Sequence, residues 1–328
     1  MKTVAVIGSG SWGTALAIQL HTAGNKVILW SFKESEATAI LTDRENKEFL
    51  PGIKIPEDIV VTYKDEDVAY ADMLIFATPS KFARNMVTRF LPYIKKDQII
   101  VNVAKGLEED TLMCISEVME EVAPQAKVAV LSGPSHAEEV GRGMATTVVA
   151  ASKDDAVAKE VQSTFMSPMF RVYTSCDILG VQLGGALKNL IALAAGAADG
   201  CGFGDNTKAA LMTRGIAEIA RLGTAMGANE KTFAGLTGIG DLIVTCTSQH
   251  SRNRRAGFLL GQGKKLDEVL EEVHMVVEGV VNAKAAYLLA KKYNVEMPIT
   301  TVINDVLYNN LDVKEAVYKL MTRDRIEE

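Results

Sequence analysis

The first half of the chain alternates short apolar runs with amphipathic stretches. The runs are 3–7, 26–30, 59–62, 72–77, 98–103, 127–131 and 146–151. Between most of them, apolar residues recur at helical spacing. In one such segment Leu112, Ile115 and Met119 share a face opposite Met113, Ser116, Glu117 and Glu120. Short continuous apolar runs suit strands buried on both faces. Their alternation with helices predicts a mainly parallel sheet covered on both sides. The run 146–151 and the segment 170–173 lie closer together and are predicted to finish the sheet antiparallel.

After Asp177 the strand signals fade. Residues 178–198, 206–226, 251–261, 266–272, 280–292 and 298–309 read as helices, punctuated by Gly196, Gly200, Gly227, Gly261 and Gly279. The pattern predicts an α/β domain over 1–175 and an all-α domain over 176–328. The polar end, 322–328, reads as frayed.

A chain of 328 residues suits two domains at roughly 150 residues each. Hydrophobic residues make up 48% and charged ones 23%, the profile of a soluble globular protein. The net charge of -6 offers no basic face, so no nucleic-acid partner is expected. Cys114, Cys176, Cys201 and Cys246 show no CxxC spacing, which indicates neither a zinc site nor a disulfide framework. Together with 13 Met they suggest the reducing cytoplasm. The start, MKTVAVIGSG, lacks the long apolar core of a signal peptide. The stretch 178–198 has the length of a membrane span, but nearly half of it is Ala and Gly and it carries Gln182, Lys188 and Asn189. These polar groups argue against insertion.

Gly8-Ser9-Gly10-Ser11-Trp12-Gly13 is G-x-G-x-x-G between the strand at 3–7 and an apolar helix at 12–23. That context makes it a dinucleotide fingerprint and the first domain Rossmann-type. Gly8 permits the tight turn, Gly10 lets a pyrophosphate approach the backbone, and Gly13 lets helix and strand pack closely. The helix N-terminus offers N–H groups and partial positive charge to phosphates. The second strand ends at Trp30, where an NAD site usually places Asp or Glu. This chain has Ser31, Phe32 and Lys33 there, with Glu34 coming late. Lys33 is placed to meet a 2′-phosphate and Phe32 to lie against the adenine. The reading therefore leans to NADP, with NAD open, and calls for no metal.

Ligands of such sheets sit beyond the carboxyl ends of the strands. Lys105 comes just after the run 98–103, past Ala104, and belongs at that edge. Ser135-His136-Ala137-Glu138 matches a capping box that would start a helix over the site. His136, the first residue after that cap, reads as a surface or packing residue rather than a catalytic one. His21, His250 and His274 have no companions at ligand or triad spacing.

In the second half Lys188 is the only charged side chain between Asp177 and Asp199. Burying an ammonium in apolar company is costly and would lower its pKa toward the range useful for proton transfer. Gly184 and Gly185 leave room for a backbone or ligand beside it. Asn189 follows and can hydrogen-bond whatever the lysine faces. The segment 235–241, GLTGIGD, reads as a flexible turn. Its Asp241 either orients Lys188 or caps a helix. Ser251 reads as a helix cap with Arg252 and Asn253 in the first turn, a combination that forms a phosphate site. Glu278, beside Gly279, is placed to reach a cofactor.

Taken together, these residues resemble the bacterial-type NAD(P)-dependent glycerol-3-phosphate dehydrogenases. The carrying motifs are GSGSWGTALA at 8–17, AKGLE at 104–108, LSGPSHAEEV at 131–140 and GGALKNLIALAAGAADG at 184–200. They continue with GLTGIGDLIVTCTS at 235–248, HSRNRRAG at 250–257 and VVEGV at 276–280. The resemblance implies reversible hydride transfer between a nicotinamide and dihydroxyacetone phosphate or sn-glycerol 3-phosphate. It assigns Lys188 as proton acceptor or donor. It carries Lys105, Gly133, Ser135, Asp241, Ser251, Arg252 and Asn253 to the substrate. It carries Ser11, Trp12, Lys105, Ala137, Arg252, Val276 and Glu278 to the cofactor. Phe32 departs from the polar ring or basic residue common in the family there. A cytoplasmic homodimer supplying the phospholipid backbone is a further implication. Two rival functions stay open. Against a ketopantoate-type reductase stands the phosphate site at Ser251, Arg252 and Asn253. Against a sensor without turnover stand Lys188 and Lys105.

Overall fold

The apolar runs of the first half become strands because both faces of each are covered. The computed structural model describes residues 1–324, so the last four residues of the polar end lie outside the described residues. In chain order the first elements are β1 (Thr3–Ile7), α1 (Ser11–Thr22), β2 (Lys26–Trp30), α2 (Glu34–Asp43), β3 (Glu45–Asn46), β4 (Leu50–Lys54), β5 (Val60–Thr62) and β6 (Met73–Phe76). Then come α3 (Ala83–Phe90), β7 (Ile99–Asn102), α4 (Ile115–Val122), β8 (Lys127–Ser132), α5 (Ala137–Gly141), β9 (Thr146–Ala151), α6 (Asp155–Phe165) and β10 (Phe170–Ser175). Every residue of β6 and β7 is buried. Each such Val, Leu or Ile contributes about 1.5–3 kcal/mol by leaving water.

The main sheet has the order β10-β9-β8-β7-β6-β1-β2-β5. From β5 to β8 all neighbours pair parallel. β9 then reverses against β8. β10 pairs parallel to β9, with α6 as the crossover between them. The last two strands thus run against the other six, as a crossover unit. A short connection demands a hairpin, whereas the 11-residue α6 spans the return that a parallel pair needs.

The hairpin β3–β4 has no clear imprint in the sequence, because Pro51 and Gly52 hide it. Proline is tolerated in an edge strand that gives up no ladder hydrogen bond. The hairpin matters for the fingerprint turn. Asn46, buried on β3, donates through Nδ2 to the Ser9 carbonyl at 2.6 Å and to Thr14 Oγ1 at 2.9 Å.

The second half is helical among the described residues. It contains α7 (Ile178–Gly200), α8 (Asp205–Ala225), α9 (Glu230–Phe233), α10 (Asp241–Thr247), α11 (Arg252–Gly261), α12 (Leu266–Val273), α13 (Glu278–Lys292), α14 (Pro298–Tyr308) and α15 (Val313–Met321). The chain divides into two compact units. One is Met1–Glu108 with Met113–Gln182, and the other is Glu109–Leu112 with Leu183–Glu328.

The glycines of α7 explain its composition. A Cβ at Gly196 would lie 2.0 Å from the Arg254 carbonyl oxygen, and one at Gly200 2.1 Å from that of Phe258. Reciprocally, Gly257 and Gly261 of α11 would meet the Leu193 and Ala197 carbonyls at 1.9 and 2.2 Å. The two helices press backbone on backbone, which only glycine at the crossing allows. α7 is long and apolar enough to cross a membrane, yet 89% of its most apolar stretch is buried within the protein.

Candidate active site

In the α/β unit the fingerprint turn has the geometry its glycines require. Gly8 adopts φ +115°, a region that L side chains rarely enter, and a Cβ at Gly13 would lie 1.9 Å from the Gly8 carbonyl oxygen. A Cβ at Gly10 would meet nothing within 4 Å, so the backbone there is open to an approaching group. Ser11 begins α1. The indole Nε1 of Trp12 is buried and has no hydrogen-bond partner among the described residues. An open glycine, an orphaned donor and a helix N-terminus fit a dinucleotide phosphate and its ribose.

The end of β2 is more elaborate than the sequence suggested. Ser31 is fully buried, and its hydroxyl lies 2.7 Å from Ser9 Oγ and 3.1 Å from Glu36 Oε2. Lys33 Nζ pairs with the other Glu36 oxygen at 2.9 Å. Phe32 is 63% exposed and meets Trp30 edge-on at 6.2 Å.

At the end of β7, buried Asn102 locks the next turn. Its side chain donates to the Ala104 carbonyl and accepts from the Ala104 N–H, both at 3.0 Å. That turn presents Lys105, whose Nζ donates to the Gly133 carbonyl at 2.8 Å and to Ser135 Oγ at 3.3 Å. Gly133 adopts φ +135°, and a Cβ there would lie 3.0 Å from Val148 Cα. The capping box expected at Ser135 does not form. α5 starts at Ala137 with His136 as its N-cap residue and no side-chain cap. Ser135 Oγ donates to the Gly133 carbonyl at 2.8 Å instead. Lys105 and the Gly133 carbonyl compete successfully for that hydroxyl. Ala137 is buried in the first turn of α5.

In the helical unit Lys188 is 4% exposed. Its Nζ donates to Asp241 Oδ1 and to Thr245 Oγ1, each at 2.5 Å. Thr245 in turn donates to the Asp241 carbonyl at 2.7 Å. Asp241 therefore both opens α10 and pairs with the lysine. The segment before it is ordered helix, correcting the flexible turn expected there. α9 is followed by a single π turn at Leu236–Gly240. Its glycines serve contact: a Cβ at Gly238 would lie 2.0 Å from the Phe233 carbonyl oxygen, and one at Gly184 of α7 2.5 Å from that of Thr237. Desolvation makes a buried ion pair costly unless its geometry is good. Here one oxygen and one hydroxyl converge on the same nitrogen.

A second string of contacts ties α7, α11 and α13. Asn253 Nδ2 donates to Asn189 Oδ1 at 2.9 Å, and the Gly279 N–H donates to Asn253 Oδ1 at 2.8 Å. Ser251 caps α11 by accepting from the Arg254 N–H at 3.2 Å, as expected. Arg252 donates to the Val276 carbonyl at 3.3 Å, and Glu278 opens α13. Arg254 and Lys208 converge on Asp199 at 2.7 and 2.9 Å, fixing α11 and α8 to the end of α7. Cys246, next to Thr245, is pushed up to about 12 by burial, which leaves it an inert thiol.

The sequence did not single out Thr245, Asn46, Asn102, Asp199 or Glu36. Only Thr245 carried a signal, one helical turn after Asp241. The structure joins Lys105 with Gly133 and Ser135, Lys188 with Asp241, and Arg252 with Val276. Among the described residues no group of three or more His, Cys, Asp and Glu side chains is placed to hold a metal ion.

Two family models match the chain. One is the NAD-dependent glycerol-3-phosphate dehydrogenase N-terminus at residues 3–158, and the other is its C-terminus at 177–318. A glycerol-3-phosphate dehydrogenase [NAD(P)+] of Fusobacterium nucleatum is 57% identical over 99% of this chain and 98% of its own. The crystal structure of the glycerol-3-phosphate dehydrogenase from Coxiella burnetii superposes with a TM-score of 0.95 at 35% identity, covering 98% and 99% of the two chains. A ketopantoate reductase from Ralstonia eutropha, at 16% identity and a TM-score of 0.63, covers 96% of this chain and 99% of its own. It shares the fold alone.

Proposed function

Because the chain belongs to the NAD(P)-dependent glycerol-3-phosphate dehydrogenases, we propose that Lys188 is its proton donor and acceptor in the interconversion of dihydroxyacetone phosphate and sn-glycerol 3-phosphate. The observation that carries this assignment is the buried Lys188–Asp241 pair with Thr245 on the same nitrogen. The bound nicotinamide supplies or takes the hydride. As the substrate carbonyl oxygen gains negative charge, an ammonium beside it stabilises that charge. Lys188 Nζ then gives it a proton. In the reverse direction the same nitrogen accepts the hydroxyl proton. Asp241 and Thr245 hold Nζ in place, so little reorganisation is needed at the moment of transfer.

Ser251, Arg252 and Asn253 are the proposed phosphate anchor. The Ser251 cap, the first-turn N–H groups and a guanidinium supply the donors for a dianion. Lys105, Gly133 and Ser135 are proposed for the remaining substrate oxygens. For the cofactor we propose Gly8, Gly10, Ser11, Trp12, Gly13, Phe32, Lys33, Lys105, Ala137, Arg252, Val276 and Glu278. Supply of glycerol 3-phosphate to phospholipid synthesis, a cytoplasmic location and a homodimer are proposed from the resemblance of the motifs.

The test is direct. Pure protein mixed with dihydroxyacetone phosphate and either NADH or NADPH is expected to consume the reduced-nicotinamide absorbance. Oxidation of neither cofactor would contradict the reading.

A further inference from the structure

We infer that Glu36 sets cofactor choice in this chain: its carboxylate receives the ribose 2′-hydroxyl of NADH and withholds Lys33 from the 2′-phosphate of NADPH. The inference rests on the fingerprint turn being the dinucleotide site.

The carboxylate that an NAD-binding strand usually carries at its end is absent at Ser31. Glu36, in the first turn of α2, takes its place through a relay. Ser9, between the first two fingerprint glycines, is 2.7 Å from the Ser31 hydroxyl, which is 3.1 Å from Glu36 Oε2. This string ties the carboxylate to the phosphate-binding turn itself. The Glu36 side chain is 19% exposed, so it is anchored yet within reach of a ligand.

Two cations near this strand end, Lys33 and Arg89, are each matched by an acid. Lys33 pairs with Glu36 at 2.9 Å. Arg89 lies 5.5 Å from the centroid of the Phe32 ring and 4.8 Å from that of Trp30. Asp65 holds its guanidinium through two hydrogen bonds of 2.7 and 2.9 Å. Glu34 stands in the same turn of α2. A 2′-phosphate would therefore enter beside a carboxylate, with the Lys33 ammonium already engaged. Rejection by an opposing charge is a common route to specificity. The Lys33 pKa is raised, first by its hydrogen bond to Glu36 and then by that residue's charge, which agrees with the pairing.

The experiment measures binding without turnover. Calorimetric titration of wild type, Glu36→Gln and Glu36→Gln/Lys33→Met with NADH and with NADPH gives the ratio of the two Kd values. Wild type is expected to bind NADH at least as tightly as NADPH. Glu36→Gln is expected to move the ratio toward NADPH by about tenfold, the worth of one charge-assisted contact. Adding Lys33→Met is expected to cancel that gain. A ratio that changes by less than about twofold in Glu36→Gln overturns the inference. So does a wild type that prefers NADPH by more than about tenfold. Binding of neither cofactor by wild type would overturn the cofactor reading itself, and this inference with it.

Discussion

Lys188 carries a charge into a place where charge is costly. The cost is offset by Asp241 at 2.5 Å and by the Thr245 hydroxyl at the same distance. Removing one partner of such a pair strands the other, so Asp241→Asn is expected to lower stability by about 3 kcal/mol, read from urea unfolding. The lysine itself was legible in the sequence, because a lone charge in a run of Ala, Gly and Leu has few structural uses. Its partner was less so. Asp241 lies 53 positions away, and a carboxylate opening a helix is equally consistent with a plain cap. Arg252 differs in kind, since its contact to the Val276 carbonyl is exposed. Arg252→Ala is expected to raise the KM for dihydroxyacetone phosphate by tenfold or more, about the loss of one charge-assisted hydrogen bond. Its folding stability is expected to stay within about 0.5 kcal/mol of wild type. An unchanged KM would argue against the phosphate anchor.

At the scale of elements, α8 holds α14 by a buried acid. Glu218 accepts from the Ile299 and Thr300 N–H groups at 2.7 and 3.2 Å and from the Thr300 hydroxyl at 3.3 Å. Burial nevertheless dominates and raises its pKa from 4.5 to about 7. The folded state thus keeps a proton that the unfolded chain has lost, and this contribution weakens as pH rises from 4.5 to about 7. The slope is at most roughly 1.4 kcal/mol per pH unit. Glu218→Gln is expected to flatten it in urea unfolding followed across that window. A slope identical to wild type would contradict the titration. The crossing of α7 and α11 makes a second demand. Gly257→Ala places a methyl 1.9 Å from the Leu193 carbonyl oxygen. It is expected to cost about 1–3 kcal/mol by overpacking.

Across the whole molecule, the strand–helix alternation and the change to helices after Asp177 were legible because burial on both faces and helical spacing leave different imprints. What stayed hidden had local disguises. Pro51 and Gly52 masked the β3–β4 hairpin, and glycines in 235–241 masked the π turn and the start of α10. At nine residues α15 is short, and its apolar face repeats over little more than two turns. The site was legible where a motif has one physical use, as at Gly8 and Gly13. It was not legible where distant side chains close a network, as in the Ser9–Ser31–Glu36 relay or the Asn46 brace. Turnover by this chain, as proposed, depends on one proton leaving one nitrogen. The decisive measurement is the turnover of Lys188→Ala at saturating substrate, alongside its Kd for NADH. The expected result is a fall of at least about 100-fold in kcat, the usual worth of a positioned acid–base group, with the Kd within about twofold of wild type. A variant retaining a tenth or more of wild-type kcat would contradict the assignment of Lys188.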